Sequence, residues 1–113
     1  LFRSMKRDFV YVYDVCEVII HCLTCKFAGG IYNVGSGVAT GWDTLAREIF
    51  KAKDIKDGTI SYKTMPEQYK NHYQYYTRAD LNKLRNQLGY KKDFTSIDQG
   101  VKLTLQEINR IYY

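Results

Sequence analysis

Residues 31–50, IYNVGSGVATGWDTLAREIF, pass from a β-branched run through a glycine-rich turn into an amphipathic stretch. That order restricts the fold more than any other feature of the chain. Ile31, Tyr32 and Val34 suit a pleated, half-buried strand. Trp42, Leu45, Ala46, Ile49 and Phe50 recur at helical spacing and define one apolar face. Thr40, with Asp43 three positions on, has the pattern of a capping box. Gly35, Gly37 and Gly41 raise a second reading, a cradle for a dinucleotide pyrophosphate. The last of them comes one residue late for G-x-G-x-x-G. The next strand-like run ends in Thr64, where such a fold places an acidic residue for the ribose. A tight strand-to-helix turn is the reading that remains.

The same alternation runs through the chain. Residues 8–12, DFVYV, read as a strand. Asp14 with Glu17 marks the start of a helix whose apolar positions are Val15, Val18, Ile19, Cys22 and Leu23. Asp57-Gly58 is a turn before a third strand, TISYK. Residues 64–78 have neither period and read as a loop rich in tyrosine. Thr77 with Asp80 opens a short helix carrying Leu81, Leu84 and Leu88, which Gly89 stops. Ser96 opens the last helix, with Ile97, Val101, Leu105 and Ile108 on one face. The order β-α-β-α-β-loop-α-α predicts an α/β fold with a small parallel sheet. So few helices barely cover both faces of such a sheet, so it is expected to continue in protein beyond these residues.

Composition narrows the function. The 113 residues suit one modest core. The net charge of +5 is spread among acidic neighbours such as Asp54, Asp57 and Asp93, so no nucleic-acid face is expected. No apolar run reaches the length of a membrane span. LFRSMKRDF lacks the apolar stretch of a signal peptide, which predicts a cytoplasmic protein. Cys16, Cys22 and Cys25 are an odd set with no secretory context, so they are expected to be reduced. With His21 they offer three zinc donors where a structural site needs four, so no metal is expected.

Four segments, RDFVYVYDV (7–15), GGIYNVGSG (29–37), YQYYTRADL (73–81) and LGYKKDFTSIDQGV (88–101), occur together in this order. They resemble the C-terminal part of the extended short-chain dehydrogenase/reductases that epimerise sugar nucleotides, most of all the branch acting on ADP-heptose. The resemblance covers nearly the whole chain. It implies one partial domain over residues 1–113: the substrate-binding C-terminal part of a doubly wound fold, without the N-terminal NADP-binding part. It implies an isomerase of heptose-precursor synthesis for lipopolysaccharide. NADP is the parent family's cofactor and is not expected on this chain alone. The implied partners are the nucleotide-sugar substrate and the missing N-terminal half, with a homo-oligomer left open.

The family's proton-handling Tyr-x-x-x-Lys pair is absent, because none of the 11 tyrosines has lysine four residues on. No catalytic residue is therefore expected, and the chain alone is expected to be inactive. The resemblance makes Arg7 a nucleotide-sugar contact and Tyr73 a substrate-contacting tyrosine. Phe2 and Ser4 fall in its substrate loop. The plainer alternatives are that Arg7 pairs with Asp8 or Asp14, and that Tyr73 packs among Tyr69, Tyr75 and Tyr76. Two other readings stay open: the tail of a UDP-galactose 4-epimerase or dTDP-glucose dehydratase, and a self-contained small basic binding module. The Arg-x-Gly-Asp motif usual in the former is missing from PEQYKNHYQYYTRAD.

Overall fold

A computed structural model describes residues 5–26 and 29–113. Strand β1 (Lys6–Asp8) leads through a short extended link into α1 (Val12–Thr24). Strand β2 (Ala39–Gly41) runs directly into α2 (Trp42–Ala52). Two short helices, α3 (Glu67–Lys70) and α4 (Asn82–Asn86), precede α5 (Ile97–Tyr112). The class is α/β, as the alternation implied.

Strand directions differ from the expectation. β2 pairs with β1 antiparallel, in the register Lys6↔Gly41, Arg7↔Thr40, Asp8↔Ala39. On the other side of β1 the one parallel contact among the described residues is a bridge from Lys6 to Tyr76. There the Lys6 N–H donates to the Tyr75 carbonyl at 3.0 Å, and the Thr77 N–H donates to the Lys6 carbonyl at 3.1 Å. β1 is thus the middle of a small mixed sheet, not an edge of a parallel one. Residues 31–34 and 59–63, read as strands, lie outside any ladder. β propensity records a fit to a half-buried pleat, and a run with no neighbouring strand has no ladder to join. Ile31 is 87% exposed accordingly.

The core lies between α1, α4 and the turn that follows α4. Val18, Leu84, Leu88 and Tyr90 are buried together, with Cys22, Val34, Leu81 and Phe94 packed around them. His21 ties the two sides: its ring nitrogen Nε2 lies 3.0 Å from the Leu88 carbonyl oxygen, and the ring meets Tyr90 edge-on. Only part of the apolar stripe read on α1 is used. Val18 faces the core, while Ile19 and Leu23 are exposed. The second packing unit joins α2 to α5. Between them and residues 9–12 runs an apolar groove of about 410 Å³, lined among others by Phe9, Leu45, Ile49, Val101 and Leu105. The helical stripes read for α2 and α5 are the ones that meet there.

The helix starts were read less well. α1 begins two residues before Asp14, and Asp14 does not cap it. Its carboxylate instead accepts the Thr95 N–H at 2.7 Å and the Thr95 hydroxyl at 2.9 Å. That anchors the chain entering α5 to the first turn of α1. Likewise Thr40 lies in β2, and α2 follows Gly41. Thr77 turns its hydroxyl to β1, and α4 starts only at Asn82. For Asp14 and Thr77 a long-range partner outbids the local capping role, and Thr40 is taken into the β1–β2 ladder opposite Arg7.

Candidate functional site

The densest polar arrangement is centred on Asp8, the last residue of β1. Its Oδ1 accepts the Ser36 N–H at 2.7 Å and the Ser36 hydroxyl at 2.6 Å. Its Oδ2 accepts the Gly37 N–H at 2.9 Å and the Ala79 N–H at 2.9 Å. The Asp8 N–H in turn reaches the Thr77 hydroxyl oxygen at 3.3 Å. Burial pushes the carboxyl up. The Ser36 hydroxyl and the N–H groups of Ala79, Ser36 and Gly37 outweigh it and hold Asp8 below the ordinary carboxylate value.

The glycines of the turn are explained by this carboxylate. A side chain at Gly35 would place its Cβ 2.6 Å from Asp8 Oδ2 and 2.7 Å from the Ala79 Cβ. Gly37 has φ +78°, a left-handed conformation that glycine alone adopts without strain. Gly35–Gly37 is therefore a cradle, and its occupant is the chain's own Asp8. That bears on a dinucleotide cofactor. The N–H groups of Ser36 and Gly37, which a pyrophosphate needs, are already taken by a carboxylate of the same charge. The residues here do not fit that group, and no chemistry is routed through it on this chain.

Arg7 lies beside this clamp. Along a strand successive side chains point to opposite faces, so Arg7 is turned away from Asp8. Its guanidinium lies over the Tyr73 ring, 4.9 Å from the centroid. Tyr73 is braced edge-on by Tyr75 at 5.8 Å, and the Tyr75 hydroxyl donates to the Lys70 carbonyl at 3.1 Å. Nη1 of Arg7 is buried and has no hydrogen-bond partner. A buried donor left open costs about 1–3 kcal/mol. The plainer pairing of Arg7 with Asp8 or Asp14 does not occur, since both carboxylates are committed to other donors. The structure thus brings together Arg7 and Tyr73, residues 66 positions apart in the chain. A forked cation with one free donor, flanked by an aromatic face, has the chemistry to hold a phosphate or carboxylate oxygen.

Phe2 and Ser4, also read as substrate contacts, lie outside the described residues. The role of Asp8 was missed. The signal was an acidic residue inside an apolar strand run, facing a glycine-serine-glycine turn whose N–H groups needed an acceptor. Cys16 is exposed, Cys22 and Cys25 are half-buried, and all three are free thiols. Among the described residues no group of three or more His, Cys, Asp or Glu side chains is placed to hold a metal ion. Among them, too, no helix is long and apolar enough to cross a membrane.

The chain is 38% identical over 116 residues to an ADP-L-glycero-D-manno-heptose-6-epimerase of Fusobacterium nucleatum, across 90% of this chain and 35% of that enzyme. It is 40% identical over 95 residues to the enzyme of the same name from Nitratidesulfovibrio vulgaris, across 84% of this chain and 29% of that one. The chain therefore spans about a third of the length of the curated relatives it matches. No protein-family model matches it. Among solved structures it superposes on an NAD-dependent NDP-hexosamine 5,6-dehydratase, TunA, involved in tunicamycin biosynthesis, with a TM-score of 0.73. That match covers 96% of this chain and 33% of that one at 22% identity, and it shows the fold. The likeness read from the four segments and the sequence matches point to the same enzymes, the ADP-L-glycero-D-manno-heptose-6-epimerases.

Proposed function

We propose, from the likeness to the ADP-heptose epimerases over a third of their length, that this chain is the substrate-binding part of a sugar-nucleotide epimerase acting on an ADP-heptose. It forms one partial domain, residues 1–113. The observation that carries the reading is the open, buried Nη1 of Arg7 against the Tyr73 ring. Arg7 takes a diphosphate oxygen of the nucleotide sugar, and Tyr73 fixes the guanidinium plane and offers its hydroxyl. A hydrogen bond to a charged oxygen is worth about 1.5–3 kcal/mol, and one to a neutral group about 0.5–1.5 kcal/mol.

The redox chemistry belongs elsewhere in such an enzyme. A nicotinamide cofactor, NADP by family likeness, supplies reversible hydride transfer, and its site lies outside the matched third. Two features support further protein lying against this chain: the apolar face of α1 left exposed at Ile19, Ile20 and Leu23, and the run 31–34 that lies outside any ladder. The place of action is the cytoplasm.

The test is a chimera in which this chain replaces the matching third of the Fusobacterium nucleatum enzyme. The chimera is expected to epimerise ADP-heptose, followed by NMR of the sugar, while the 113-residue chain alone with NADP turns over nothing. In the chimera Arg7→Ala weakens ADP-sugar binding by about 1.5–3 kcal/mol, and Tyr73→Phe by about 0.5–1.5 kcal/mol. Undiminished affinity in Arg7→Ala refutes the site, and turnover by the chain alone refutes the division of labour.

A further inference from the structure

We propose that Asp8 is a positioning residue for the anion site: it sets the angle between the strand that carries Arg7 and the segment that carries Tyr73. The proposal rests on reading Arg7 and Tyr73 as ligand contacts, and it deepens that reading. The segment 73–77 is tied to β1 by two backbone hydrogen bonds, and both involve one residue, Lys6. A segment held at one residue can pivot about it. The second fixed point is Asp8, whose carboxylate takes the Ala79 N–H and whose own N–H meets the Thr77 hydroxyl. Held at Asp8 as well as at Lys6, the segment cannot pivot about Lys6, and the Tyr73 ring, two residues before the first of these ties, stays 4.9 Å from the Arg7 guanidinium.

The same carboxylate also binds the turn that leads to β2, through Ser36 and Gly37. β2 pairs with Arg7 itself, at Thr40. One side chain therefore fixes both neighbours of the strand that bears Arg7. The turn is shaped to it, since any side chain at Gly35 would collide with the carboxylate and with Ala79. An aspartate that only capped a turn would not need contact with the segment on the far side of its strand.

The experiment uses the 113-residue chain with isotope-labelled arginine. It reads the Arg7 side-chain NMR signals, which the Tyr73 ring current displaces, and it titrates ADP as the probe. Asp8→Asn keeps the volume and removes the charge. It is expected to move the Arg7 signals toward those of a solvent-exposed arginine. It is also expected to weaken ADP binding about tenfold, the loss of one charge-assisted contact. Val18→Ala is the control: it opens the core around Leu84 and destabilises the fold, and it should leave the Arg7 signals in place. If Asp8→Asn does not fold, Ser36→Ala removes the hydroxyl donor alone and should give a smaller displacement in the same direction.

Arg7 signals unmoved in folded Asp8→Asn, or unmoved in Ser36→Ala, overturn the proposal, as does an equal displacement in Val18→Ala. Displaced Arg7 signals in a chain that binds no ADP uphold the positioning role and refute the ligand reading, so the two failures are told apart.

Discussion

Around Asp8 the polar groups of three chain segments are met from inside the molecule, with four hydrogen bonds converging on one carboxylate. Along the outer face of α1, Ile19, Ile20 and Leu23 stand 54%, 54% and 80% exposed. The two regions sit at either end of the same short stretch, residues 8–23. The difference separates two kinds of information. The hydrogen bonding of the Asp8 carboxylate is complete among the described residues. The burial of their apolar surface is not, and a helix with apolar residues on more than one face is normally enclosed. The relatives are about three times as long, in keeping with such a face being covered in the longer enzymes.

The sharpest way to break that contrast is to cut equally into both apolar faces. Leu84 is fully buried in the core beneath α1. Leu84→Ala should cost about 2–5 kcal/mol, enough to unfold much of a chain with so small a core. Leu23→Ala, on the open face, should change stability by about 0.5 kcal/mol or less. Urea unfolding followed by circular dichroism measures both. A comparable loss in Leu23→Ala would mean that its face is already covered in the chain as it stands, by a second copy.

What the sequence made legible divides along the same line. The stripes of α2 and α5 were readable, because Leu45, Ile49, Val101 and Leu105 repeat at the helical period and meet each other. Leu81, Leu84 and Leu88 do meet at the core, but the helix read through all three is only Asn82–Asn86, with Leu81 and Leu88 outside it. The strands read at 31–34 and 59–63 do not form, and the one read at 8–12 forms only over Lys6–Asp8, because a strand is made by its neighbour, and no periodicity names the neighbour. The capping roles given to Asp14 and Thr77 failed because each residue has a distant partner, Thr95 for one and Asp8 for the other. Arg7 and Tyr73 were reached through family likeness; nothing in their spacing announces the stacked pair. The Asp8 clamp was hidden because its partners come from two stretches far along the chain, 36–37 and 77–79.

Gly37, in the clamp, and Gly89, in the turn after α4, make a matched pair. Both have positive φ, +78° and +72°. A Cβ at Gly89 meets nothing within 4 Å, while one at Gly37 lies 3.0 Å from Leu81 Cδ1. Replacing either with alanine costs about 1–2 kcal/mol of backbone strain. Gly37→Ala should cost more than Gly89→Ala, because it also crowds Leu81 and draws the Gly37 N–H away from Asp8. Equal losses in the same unfolding assay would show that the turn yields without disturbing the carboxylate.

The smallest effect expected is the dependence of stability on acid. Burial opposes the hydrogen bonds that hold the Asp8 carboxyl down, so the net lowering is a difference of opposing contributions. Its sign is nevertheless fixed. A carboxyl whose native pKa lies below its unfolded value contributes its full stabilisation above the unfolded value, here 3.8. That contribution is lost as pH falls through the lower, native pKa, where the proton displaces the charge that Ser36, Gly37 and Ala79 bind. Asp98 titrates in the same window, held down first by the Ser96 hydroxyl, so the wild-type curve alone does not isolate the clamp. The gap in unfolding free energy between wild type and Asp8→Asn does. It should be constant from neutral pH to about pH 5 and should narrow steadily below about pH 4, while Asp98 contributes equally to both proteins. A gap that stays constant down to about pH 2 would mean that the charge on Asp8 adds nothing, and that shape alone holds the glycine turn against the strand.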